Sequence, residues 1–89
     1  MLEQQVEIIN KLGLHARAAT KFANTANKFD SQIHVVFGEK NIDGKSIMSL
    51  MLLAAAKGSN ITLKTDGPDA DAAMAALLDL INDKFGEEE

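Results

Sequence analysis

The chain has no cysteine, no tryptophan, no tyrosine and only one proline. Without cysteine, disulfides and thiolate metal sites are excluded, in keeping with a reducing compartment. The two histidines, His15 and His34, stand nineteen positions apart, a spacing that offers no metal site. Phenylalanine is the only aromatic, so a core must be built from Ile, Leu, Val, Met and Ala. Long apolar runs are also absent. The longest, Leu50 to Ala56, stops at Lys57 and is too short to span a bilayer. The opening MLEQQVEIIN lacks the positive start and apolar run of a secretory signal. A cytoplasmic protein without a membrane role is expected.

An excess of positive charge is missing too. The net charge is −4, which argues against nucleic acid as the main partner. Residues 1–45 carry six Lys/Arg against five Asp/Glu, and residues 46–89 carry three against eight. The first half is the better place for an anionic ligand or an acidic partner. Eighty-nine residues suffice for one domain, expected over 1–89, with 87–89 a frayed acidic tail.

What is present is strong periodicity. Leu2, Val6 and Ile8 fall on one alternating face, which predicts a strand with one mainly apolar side. NKLGL at 10–14 reads as a loop. Ala19, Phe22, Ala23 and Ala26 form the stripe of a helix from about Ala16 to Lys28. Ile33, Val35 and Phe37 give a second strand. A turn at Gly38–Lys40 leads into a short third strand near Lys40 to Asp43. Ser46 stands where an N-cap belongs, ahead of an apolar helix from Ile47 to about Ala56, with Lys57-Gly58 as its stop. Ile61, Leu63 and Thr65 mark a fourth strand. Asp66-Gly67-Pro68 breaks the chain, and Asp69 and Asp71 suit the positive end of a following helix. That helix is lined by Met74, Leu77, Ile81 and Phe85. The order β-α-β-β-α-β-α predicts an α+β two-layer sandwich whose four-stranded sheet is antiparallel or mixed.

GLHARAAT, Gly13 to Thr20, puts a histidine where a loop enters a helix. A helix start presents unpaired N–H groups and the positive end of the helix dipole, which together favour an anion. A phosphate on His15 would lie among the N–H groups of Ala16 and Arg17, with the Arg17 guanidinium to neutralise part of its charge. Gly13 would let backbone approach closely. An imidazole, with an ordinary pKa of about 6.5, offers a neutral nucleophilic nitrogen near pH 7.

GLHAR at Gly13 to Arg17 resembles the active-site motif of the HPr family, the histidine-containing phosphocarriers of the bacterial phosphotransferase system. GKSIMSLMLLAAAKG at Gly44 to Gly58 resembles that family's regulatory-serine segment and second helix. Chain length, element order and the DGPDA turn at 66–70 are similar as well. The resemblance implies an open-faced sandwich, with a four-stranded antiparallel sheet covered on one face by three helices. It implies a carrier rather than an enzyme, without cofactor or metal. Enzyme I would phosphorylate His15 at Nδ1, Arg17 would assist, and an EIIA-type protein would receive the group. Ser46 would be the target of an HPr kinase/phosphorylase. Ile47, Met48 and Met51, with Thr20, would form the docking patch of a monomer. Many family members have proline where this chain has Ala18. Alanine there leaves the helix start less preorganised, by a few tenths to about 1 kcal/mol.

Two other roles fit a chain of this size. A regulatory HPr-like protein would act by binding alone, and the presence of His15 counts against it. A ferredoxin-like RNA or small-molecule binder predicts exposed aromatics or a basic sheet face, whereas this chain has no Tyr, no Trp and an acidic balance.

Overall fold

A computed structural model describes residues 1–88. Its elements run β1 (Leu2–Glu7), α1 (Ala16–Ala26), β2 (Gln32–Phe37), β3 (Lys40–Asp43), α2 (Ile47–Leu53), β4 (Asn60–Asp66) and α3 (Ala70–Asn82), followed by a tight turn at Lys84–Gly86. The sheet order is β1-β4-β2-β3 and every pairing is antiparallel, so the mixed alternative drops out. Ile33 and Val35 stand opposite Thr65 and Leu63, and all four are buried. Alternation then turns His34 and Lys64 to the other face. The apolar residues of this inner face share one core with Phe22 of α1, Leu50 and Leu53 of α2, and Leu77 and Ile81 of α3. All three helices therefore cover one side of the sheet, leaving the other open, as the family resemblance implies.

Several boundaries differ from the sequence reading, each for a visible reason. β1 is an edge strand, and its apolar side is only partly covered. Val6 packs at the margin of the core while Leu2 and Gln4 stay exposed. α1 ends at Ala26, where the side chain of Asn27 donates to the Ala23 carbonyl at 2.8 Å. α2 ends at Leu53, short of Ala56, because Ala54 adopts a left-handed backbone with φ 54°. That turn directs the Ala55 carbonyl at the amide of Leu14, 2.9 Å away. Lys57-Gly58 forms a separate turn beyond the helix. Phe85 is fully buried but lies past the end of α3.

Asp69 caps α3 by position but not with its side chain. Its carboxylate turns to the start of β2, accepting from the amides of Asp30 and Ser31, both at 2.9 Å, and from the Ser31 hydroxyl. The Ser31 hydroxyl bond, then the Asp30 amide, hold the Asp69 pKa below the usual aspartate value against a smaller opposing effect of desolvation. A group whose pKa is depressed on folding stabilises the fold above its unfolded value, about 3.9, and loses that contribution as pH falls. Asp69→Ala should therefore melt below wild type at neutral pH. The gap between the two melting curves should close as the pH drops below about 4. Thermal melts at a series of pH values check this.

Candidate phosphoryl site

The loop between β1 and α1 is fixed at three points. The Gly13 amide donates to the Asn10 carbonyl at 3.2 Å, the Leu14 amide reaches Ala55, and the His15 amide donates to the Gly13 carbonyl at 2.9 Å. Gly13 has φ +65°, and a Cβ on it would stand 2.5 Å from the Ala55 oxygen and 2.9 Å from the Ala56 Cα. The close approach expected at Gly13 is thus to the segment after α2. Leu14 is buried, which leaves His15 to begin the helix.

His15 is the N-cap of α1, with an extended backbone (φ −79°, ψ −179°), and its side chain makes no capping bond. The first intrahelical bond runs from the Ala19 amide to the His15 carbonyl, 2.8 Å. The amides of Ala16 and Arg17 thus belong to the set that a helix start leaves without intrahelical partners. Arg17 and Ala16 are exposed, while Ala18 is fully buried in the core. The Thr20 hydroxyl is committed to the Ala16 carbonyl at 2.8 Å.

The imidazole is part-covered, with 27% of its side chain exposed. Its Nε2 contacts the Oε2 of Glu87. The other carboxylate oxygen, Oε1, accepts from Asn10 Nδ2 at 3.0 Å. Asn10 is fully buried, and the same Nδ2 donates to the Gly13 carbonyl at 2.9 Å. Both protons of the amide are used, and its Oδ1 has no hydrogen-bond partner among the described residues. Among the same residues no hydrogen bond reaches Nδ1 of His15. Glu87 is 13% exposed. Burial pushes its pKa up. The hydrogen bonds from Asn10 and His15, together with the charges of His15 and Arg17, outweigh that and hold it below the usual glutamate value.

Glu87 reaches the ring because the chain turns back after α3. Lys84, Phe85 and Gly86 have φ of 56°, 55° and 76°, a run of left-handed residues. Non-glycine residues resist this region, and burial offsets the cost. Phe85 is fully enclosed, and its carbonyl accepts from Lys21 Nζ at 2.7 Å. The frayed tail expected over 87–89 does not hold at Glu87. Glu88 is exposed, and Glu89 lies outside the described residues.

Beside the ring is an open cleft of about 490 Å³ lined by Lys11, Leu12, Arg17, Gly86, Glu87 and Glu88. A neighbouring hollow adds Lys57 and Lys84. The basic rim thus draws on both halves of the chain, and the charge asymmetry along the sequence located only part of it. Ser46 caps α2, its Oγ accepting from the Ser49 amide at 3.2 Å. Ile47, Met48 and Met51 are exposed, as are Leu12 and Leu52, which the sequence reading did not place in the patch. Among the described residues no cluster of three or more His, Cys, Asp or Glu side chains is placed to hold a metal. None of their helices is long and apolar enough to cross a membrane.

The family model described as "PTS HPr component phosphorylation site" matches residues 2–83. The chain belongs to the HPr phosphocarrier family. It is 60% identical to the phosphocarrier protein HPr of Neisseria meningitidis (strain MC58) over all 89 residues, covering the whole of both chains. Identity to the phosphocarrier protein NPr of Shewanella violacea is 51% over 86 residues, covering 97% of this chain and 94% of that one. The crystal structure of HPr-C-His from Thermoanaerobacter tengcongensis superposes with a TM-score of 0.96 at 48% identity, covering 100% of both chains. HPr proteins are carriers of a phosphoryl group in the phosphotransferase system, not enzymes. The family's antiparallel sheet and three helices are those of this fold.

Proposed function

We propose that this HPr-family chain relays a phosphoryl group on His15 Nδ1, received from Enzyme I and passed to an EIIA-type acceptor in the cytoplasm. The observation that carries the reading is the state of the His15 ring. It sits at the start of α1, part-exposed, with Nε2 engaged by Glu87 and no bond from the described residues on Nδ1. A phosphoryl group on that nitrogen would meet the helix-start amides of Ala16 and Arg17 and the positive end of the helix dipole. The exposed Arg17 supplies a guanidinium for its oxygens.

Partners would dock over Ile47, Met48 and Met51, with Thr20 at the margin. Flexible, exposed methionines suit a surface that must accept more than one protein. Ser46 is the proposed regulatory position. A phosphate there would add charge at the start of α2, beside the docking residues, and oppose docking by repulsion and desolvation. The chain is read as one HPr-like domain acting as a monomer.

The test is incubation with phosphoenolpyruvate and Enzyme I, followed by intact mass measurement and brief acid treatment. One added phosphoryl group is expected, removed by acid and absent from His15→Ala. Incorporation that survives acid, or that persists in His15→Ala, would overturn the assignment.

A further inference from the structure

We propose that Glu87 is a positioning residue for the relay: its carboxylate holds the His15 ring in the Nε2–H tautomer, so that Nδ1 presents a bare lone pair to the incoming phosphorus. The inference rests on the reading of His15 as phosphoryl acceptor and names the residue that prepares it.

An ionised carboxylate can only accept, so Nε2 must be the nitrogen that carries the proton. The neutral ring then has its lone pair at Nδ1. The carboxylate is itself held from the other side. Asn10 donates to its Oε1, and the Asn10 amide is fixed in the donating orientation by its second bond, to Gly13. That orientation leaves the buried Oδ1 without a partner among the described residues. The two bonds from Nδ2 place the amide to present donors to the carboxylate and to the loop. The left-handed run at Lys84–Gly86 and the buried Phe85 bring Glu87 to this point. The depressed pKa of Glu87 agrees with a carboxylate that stays ionised there.

The transfer step balances without a proton leaving Nδ1. The Nδ1 lone pair forms the N–P bond as the bond between phosphorus and the phosphorylated donor protein breaks, and that bond's electron pair stays with the donor. The ring becomes positive, its Nε2 proton still shared with Glu87, whose charge compensates it. On delivery a lone pair of the acceptor protein's nucleophile bonds to phosphorus as the N–P bond breaks, the N–P electron pair returns to Nδ1, and the ring leaves neutral. Holding one tautomer through both steps is electrostatic and geometric preorganisation.

Two variants test this. In Glu87→Ala the tautomer constraint disappears. In Glu87→Gln the shape is kept, but only one of the two end atoms can accept. With its oxygen on Asn10, the Gln amide turns an N–H toward Nε2 and favours the proton on Nδ1. Nitrogen NMR of the unphosphorylated imidazole, above the pH at which it loses its charge, should show the proton at Nε2 in wild type. A substantial share should move to Nδ1 in both variants. Initial rates of phosphorylation by Enzyme I should fall on the order of tenfold in both, the scale seen when carboxylate partners of metal-bound histidines are removed.

A merely structural role for Glu87 predicts that Gln behaves as wild type. A wild-type tautomer in both variants, or unchanged rates despite a shifted tautomer, would overturn the proposal. Neither result would touch the assignment of His15, which stands or falls on His15→Ala.

Discussion

Replacing Gly13 by alanine is expected to cost several kcal/mol of stability and to disable phosphoryl acceptance together. Two effects add at this position. The left-handed backbone, φ +65°, costs a residue with a Cβ about 1–2 kcal/mol relative to glycine. The Cβ would also stand 2.5 Å from the Ala55 carbonyl oxygen and 2.9 Å from the Ala56 Cα. Those are backbone atoms that cannot swing aside, and overpacking of this kind adds about 1–3 kcal/mol. Relief can come only by separating residues 10–14 from residues 54–56. That breaks the Leu14–Ala55 bond and moves His15 with it. Urea unfolding should show a lower midpoint with an unchanged slope, and phosphorylation by Enzyme I should fall with it. A variant with wild-type stability would mean that this packing is softer than the distances imply.

Phe85→Ala should be the second large effect, about 3–5 kcal/mol for truncation of a fully buried aromatic. For a domain whose whole stability is about 5–15 kcal/mol, that is a severe loss. Its functional signature should separate it from other core truncations. Phe85 anchors the turn that delivers Glu87 to His15, so the tail should detach before the sheet and helices unfold. The contrast is Phe22→Ala, which empties an equally buried site in α1, beside Gly44. Both variants should unfold early in denaturant. Only Phe85→Ala should change the imidazole NMR signals of His15 under native conditions. Equal His15 spectra in the two variants would show that the tail is held by something other than Phe85.

The sheet and helices were legible because their signals are local. Alternation over Ile33–Phe37 and Ile61–Thr65 and the Ala19–Ala26 stripe each lie within a few residues, and each became the element it predicted. The placement of His15 and Arg17 at a loop–helix junction was legible for the same reason, since both lie in one short motif. Where the reading failed, a distant partner had overridden local preference. Alanines 54–56 favour helix, yet α2 stops so that Ala55 can meet Leu14. Asp69 does stand at the start of α3 as read, but its carboxylate is taken by Ser31, thirty-eight positions away, which nothing local announces. Glu87 stands in a run of three glutamates, a pattern of solvated tails. Nothing near it announces a contact seventy-two positions back. Asn10 was read as a turn residue, which it is, but its buried side chain and role as a double donor depend on that same distant carboxylate.

The pairing of β1 with β4 has a consequence for synthesis of the protein. Leu2 lies opposite Thr65 and Glu7 opposite Asn60, so the first strand made has no neighbour until the fourth is translated. At about 5–20 residues per second, an emerging β1 waits several seconds for its partner. During that wait Val6 and Ile8 have no sheet to join, and closing so long a loop carries an entropic cost of its own. The His15 loop waits longer still. It is braced by Ala55 from the middle of the chain and by Glu87 from beyond α3. A nascent chain on the ribosome therefore already carries the GLHAR motif, yet the contacts around its histidine are not complete until residue 87 has been added and has folded back.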